Sequence, residues 1–198
     1  MLKNFIEQTI NGIQVGSIYA LIALGYTMVY GIVKLINFAH GDILMVGAYI
    51  AFASVSSGIP LPVAIIISMV TCAVLGVTID YFAYRPLRNS PKISALITAI
   101  GVSFLLESLA LIIFKAEPKV IKTENIPSFL SSDSINFGYV SVSKLTIFVI
   151  VVTLLCMLGF NSFIKKTKFG KATSAVSQDT SAEKLMGIDV NLTIAVTF

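Results

Sequence analysis

The chain has 198 residues, of which 56% are hydrophobic and 12% charged, where a soluble domain carries about 25% charged residues. A mean hydropathy of +0.91 excludes a water-soluble fold and predicts an all-α polytopic membrane bundle, since helices satisfy their own backbone groups in hydrocarbon. The net charge is +4, but the basic residues sit between apolar runs rather than along a groove, which suits membrane orientation and not nucleic-acid binding.

Met1 to Glu7 form a short lead, and a first span is expected from about Ile10 to Tyr30. No small-residue cleavage site follows a short apolar core, so this span is expected to stay in the mature protein. Gly12, Gly16 and Ala20 fall four apart, a stripe that lets another helix approach closely. Asn11 and Gln14 lie on neighbouring helical faces, which predicts a polar face turned into a bundle. For Asn11, a frayed interfacial helix start accounts for the residue nearly as well.

Gly31 to Asp42 is too polar to cross a bilayer, and Ile43 to Ala53 is about half a span at roughly 20 residues per crossing. The second span is therefore expected from about Ile36 to Val55 with its polar flank included, and Gly47 and Ala51 repeat the small-residue spacing. A broken segment at that depth is tolerated only where protein or an aqueous cavity surrounds it. Asn37, Asp42 and His40, the one histidine of the chain, are thus expected in a protein interior or at a cytoplasmic mouth. Two roles stand side by side for them: a translocation path or interface, and capping of a helix at the membrane surface.

Gly16-Ser17-Ile18-Tyr19-Ala20-Leu21, Ala23-Leu24-Gly25-Tyr26-Thr27, Ile36-Asn37-Phe38-Ala39-His40-Gly41-Asp42 and Gly47-Ala48-Tyr49 together resemble the permease subunit of branched-chain amino acid ABC importers, the LivH type. The resemblance implies a multi-pass subunit of the bacterial inner membrane, surrounded by lipid. Its implied partners are a second homologous permease subunit, two ATP-binding-cassette ATPase subunits and an external substrate-binding protein. No metal or catalytic motif stands in the sequence, and no cofactor or metal is expected.

Ser56-Ser57-Gly58-Ile59-Pro60 reads as a tight turn, and Pro62 suits the first turn of a third span, Leu61 to about Tyr81. Asp80 lies near its end, before the basic run Arg85 to Lys92, in which Pro86 is expected to end the helix. Ser90 is the expected N-cap and Pro91 the first residue of the next helix. Three basic residues mark this loop as cytoplasmic.

The fourth span, Ile93 to Phe114, carries Glu107 well inside it. An ionisable residue at membrane depth is costly and points to function by default; a path position and a structural hydrogen bond to a neighbouring helix weigh equally. Residues 115–144 hold four Lys against Glu117, Glu124 and Asp133 and are expected to form an external loop, with a short strand near Phe137 to Val142. The fifth span runs from Leu145 to about Ile164. Cys72 and Cys156 lie far apart in apolar runs, as small buried hydrophobes rather than a metal or redox site.

Nine of the 14 Lys and Arg residues fall on the inner side if the 85–92 loop is cytoplasmic, which favours five crossings and an external N-terminus. On the inner side, Thr180-x-x-Glu183 fits a capping box, and Gly187 sits where a glycine would end a helix of roughly two turns. Ala182, Leu185 and Met186 give it an apolar face. So short a helix needs packing from its own bundle or a partner. The resemblance implies that residues 165–190 are the cytoplasmic coupling loop that docks into the ATPase, with Ala182 and Gly187 at its small-residue positions.

Gly170-Lys171 is not a phosphate-binding loop, because Lys165 stands where the first glycine belongs and Ala172 follows the lysine. ATP hydrolysis is therefore expected in another subunit. The chain ends at Phe198 in what reads as the start of a further span, and the resemblance implies spans beyond it. A fragment or a truncated gene is expected, with residues 1–198 forming an incomplete permease domain. The expected function is alternating-access import of leucine, isoleucine and valine. Related permeases for urea, short amides or sugars, and a membrane scaffold without transport, are the alternatives.

Overall fold

The computed structural model describes residues 1–33, 37–88, 90–121, 127, 134–137 and 140–176. Five long helices dominate it: α1 (Leu2–Val33), α2 (Ala39–Ser56), α3 (Leu61–Ile79), α4 (Lys92–Phe114) and α5 (Lys144–Lys166). All five are long and apolar enough to cross a membrane. At 1.5 Å per residue, the 32 residues of α1 span about 48 Å, more than the roughly 30 Å hydrocarbon core. The 18 residues of α2 span about 27 Å, so this helix needs its polar approach to complete a crossing.

Gly58, at φ 85, closes the tight turn after α2, and Pro60 and Pro62 start α3. Beyond Ile79 the chain does not simply stop at Pro86. It widens into a π-helical turn, Asp80–Tyr84, and then tightens into a 3-10 turn, Arg85–Leu87. Pro86 has no N–H to give to the preceding turn, so helical backbone continues only with altered pitch. The expected Ser90 cap is not formed. Pro91, at φ -54 and ψ 141, takes the cap position itself without a side-chain bond, and its carbonyl accepts from the Ser94 N–H at 2.9 Å.

Helices α2 and α3 run antiparallel and very close. The Ser68 hydroxyl donates to the Gly47 carbonyl at 2.7 Å, and the Cys72 thiol reaches the Ile43 carbonyl at 3.5 Å. A Cβ on Gly47 would stand 2.7 Å from Cys72 Sγ and 3.2 Å from Ser68 Oγ, so this crossing requires glycine. Ala39, Ile79, Tyr84, Ala99 and Leu106 form the shared core of α2, α4 and the α3 end. Farther along, Tyr49 stacks on Phe114 at 4.3 Å between ring centroids, which sets α2 and α4 parallel.

Helices α1 and α5 form a second, parallel pair. The Thr146 hydroxyl donates to Gln14 Oε1 at 2.7 Å, one of the few polar ties between two apolar surfaces. His40 joins this pair to the α2–α3–α4 group: its ring meets Tyr26 edge-on at 5.9 Å and lies on Gly25, where an added Cβ would come within 3.0 Å of Nε2. The outward faces of α1 and α5 remain apolar and uncovered, open to lipid or to other subunits.

The strand expected near Phe137 to Val142 takes the form of a hairpin. β1 (Ser134–Phe137) and β2 (Val140–Ser143) pair antiparallel with Phe137 opposite Val140, because a lone strand would leave its N–H and C=O groups unpaired. β2 lies against α1 and α5. A short helix that the sequence reading did not anticipate, α6 (Lys168–Val176), follows α5 after a single extended residue, Thr167. The Thr167 hydroxyl caps it by accepting the Gly170 N–H at 3.0 Å.

Candidate functional site

A cluster of buried polar groups gathers where the start of α2 meets the end of α3, while the buried threonines Thr146, Thr153 and Thr173 lie on α5 and α6. Asn37 is 3% exposed, Asp42 8% and Asp80 2%, with Tyr84 at 3% beside them. The Tyr84 hydroxyl donates to Asn37 Oδ1 at 2.7 Å. Arg88 Nη2 reaches both Asp80 carboxylate oxygens at 2.8 Å, a charge-assisted contact in a nearly dry site. Asp80, Tyr84 and Arg88 are four residues apart: Arg88 returns to Asp80 across the wide turn, while Tyr84 reaches Asn37 ahead of α2.

Asp42 sits in the first turn of α2, where the positive end of the helix dipole favours a carboxylate. Its Oδ2, like Asn37 Nδ2, is buried with no hydrogen-bond partner among the described residues. The junction therefore holds one unused donor and one unused acceptor. Among the described residues no group of three or more His, Cys, Asp or Glu is placed to hold a metal, and no nucleophile lies beside a base. What the geometry shows is a helix-crossing junction. Replacing Tyr84 by Phe strands Asn37 Oδ1 as well, and should lower stability by about 1–3 kcal/mol. The check is the thermal midpoint of the protein in detergent, with Tyr19→Phe, an exposed tyrosine, as the unchanged control.

The other residues singled out from the sequence are dispersed. Asn37 and Asp42 lie in the junction, and His40 lies between α2 and α1. Gln14 is on α1, bonded to Thr146. Glu107 is on α4 and lines a separate open pocket of about 340 Å³ between α2, α4 and residues 115–119. A single path through all five is therefore not drawn by this chain's own packing. Gly12 and Gly16 face open space, while Gly47 sits at the tight α2–α3 crossing; Ala20 and Ala51 are half-buried. Thr180, Ala182, Glu183, Leu185, Met186 and Gly187 lie outside the described residues. Sequence reasoning missed Asp80, Tyr84 and Arg88 as a unit. Their four-residue spacing was the available signal.

The family model described as "Branched-chain amino acid transport system / permease component" matches residues 8–198. The chain belongs to this family. It is 39% identical to the high-affinity branched-chain amino acid transport system permease protein BraD of Pseudomonas aeruginosa, over 100% of the chain and 67% of that protein. It is 34% identical to LivH of Escherichia coli K12, named for the same transport system, over 98% of the chain and 66% of the relative. A probable LivH of Methanocaldococcus jannaschii is 29% identical over 98% of the chain. The chain thus spans about two thirds of the length of these curated relatives. No solved structure matches it. Family membership together with five membrane-length helices makes it a multi-pass inner-membrane permease component.

Proposed function

We propose that the chain is the membrane-spanning subunit of an ATP-binding-cassette importer that moves leucine, isoleucine and valine by alternating access. The observation that carries this is the 39% identity to a branched-chain amino acid permease along the whole chain. The fold agrees with it: two helix groups meet along a seam at His40, and a buried polar junction lies at one end of that seam. ATP hydrolysis belongs to two separate ATPase subunits, a second homologous permease completes the pathway, and an external binding protein delivers substrate.

In this reading the N-terminus is external, α1, α3 and α5 run inward, and residues 115–144 lie outside. Residues 165–190 form the coupling loop on the inner side. Leu185 and Met186, with Thr180 and Glu183 capping and Ala182 and Gly187 allowing close approach, dock into the ATPase. Leu185→Asp in the intact protein should cut ATP-driven leucine uptake in proteoliposomes at least tenfold at unchanged membrane levels, with loss of ATPase co-purification. Unchanged uptake and retention would overturn the coupling role. Uptake of urea in place of leucine would overturn the substrate.

A further inference from the structure

The pocket between α2, α4 and residues 115–119 brings together an apolar wall and two opposite charges, Glu107 and Lys115, that enter no ion pair among the described residues. Met45, Ala110, Leu111 and Tyr49 line it, and the Tyr49 ring is held in place by its stack on Phe114. Glu107, Lys115, Glu117 and Lys119 line the same pocket. Lys119 and Glu117 are paired with each other at 3.6 Å. No ion pair involves Glu107 or Lys115 among the described residues, so the two stand too far apart to neutralise each other directly. Glu107 lies seven residues before Phe114, roughly 10 Å down the helix, where a carboxylate needs a reason to be kept.

The backbone supplies a second, independent sign. Lys115 ends α4 at φ 61 and ψ 171, a conformation that is costly for any residue with a Cβ, and such strain collects at ligand clamps. It turns the chain sharply over the pocket and brings the lysine to the rim. With Glu117 and Lys119 paired to each other, the lining offers one further anion, Glu107, one further cation, Lys115, and aliphatic surface beside them.

We infer that this pocket is a receiving subsite for a zwitterionic aliphatic α-amino acid, with Glu107 binding the ammonium group, Lys115 the carboxylate, and Met45, Ala110 and Leu111 the side chain. This rests on the reading of the chain as an amino-acid permease. A pocket of about 340 Å³ is at the small end of ligand sites, which suits a free amino acid. Urea and sugars carry neither charge, and the opposed ions would serve them poorly.

The test uses the intact permease–ATPase complex in detergent, without its binding protein. Radiolabelled leucine should bind, and two analogues should compete at least tenfold less well: isoamylamine, which lacks the carboxylate, and 4-methylpentanoate, which lacks the ammonium group. Glu107→Gln should reduce leucine binding to the level of 4-methylpentanoate, and Lys115→Gln, at an exposed position, should reduce it to the level of isoamylamine. A merely structural role would not produce this crossed pattern. Leucine binding unchanged in both variants, or absent from a complex that still drives leucine uptake with its binding protein, would overturn the subsite and leave the permease reading standing. A complete system that takes up no leucine would overturn both.

Discussion

Arg88→Met is expected to remove most of the folded protein from the membrane. Asp80 is 2% exposed and takes both of its 2.8 Å contacts from Arg88, so the substitution leaves a carboxylate buried without its cation. Breaking a buried pair from one side costs about 3–5 kcal/mol, a large share of the roughly 5–15 kcal/mol that holds a typical domain together. Membrane level by immunoblot and the thermal midpoint of the solubilised protein are the two measurements. Adding Asp80→Asn to Arg88→Met should recover much of the loss, because an amide is far cheaper to bury than a charge. Arg85→Met is the matched control. Arg85 lies 5.5 Å over the exposed Tyr81 ring, a contact of about 0.5–1 kcal/mol at such a site. If Arg88→Met and Arg85→Met behave alike, the ion pair has no structural part.

Gly170→Ala is expected to damage transport while sparing the transmembrane helices. A Cβ at Gly170 would overlap the Ile164 Cα and carbonyl oxygen and the Phe163 carbonyl oxygen, all of them backbone that cannot rotate away. The short helix α6 must lift off the end of α5 or unwind. Either outcome costs on the order of 1–3 kcal/mol of overpacking strain, concentrated at the link between the last described span and residues 177–190. Uptake should fall at least tenfold while the thermal midpoint shifts by only a few degrees. Gly12→Ala, at a position with nothing within 4 Å, should leave the midpoint of the isolated subunit unchanged. Normal uptake by Gly170→Ala would show that the α5–α6 contact is not needed for coupling.

The spans were legible because hydropathy and length are chain-local quantities. Helices α1, α4 and α5 contain the expected runs, whereas α2 starts at Ala39 rather than Ile36 and α3 gives way to the π-helical turn at Asp80, before Tyr81. The polar approach to α2 was legible too, since a run too short for the bilayer must recruit its flank. The partners of that approach were not. Tyr84 and Asn37 are 47 positions apart, and only the packing of α3 on α2 brings them together. Ser90 looked like a cap because Ser favours that position, yet Pro91 already has the extended ψ that a cap needs. Helix α6 escaped notice because residues 165–190 read as one loop, whereas its start is set by one threonine hydroxyl and its position by one glycine.

The Gly47 crossing has a mechanical corollary. Two backbones in such close contact, keyed by a serine and a cysteine on either side, cannot slide along each other without first separating, so α2 and α3 translate and tilt as one plate. The His40 ring, by contrast, rests on Gly25 and meets Tyr26 only edge-on, with no hydrogen bond holding it to α1 among the described residues. The His40 contact is therefore the weaker of the two joints, and on the proposed alternating-access reading the plate would swing there against the α1–α5 pair.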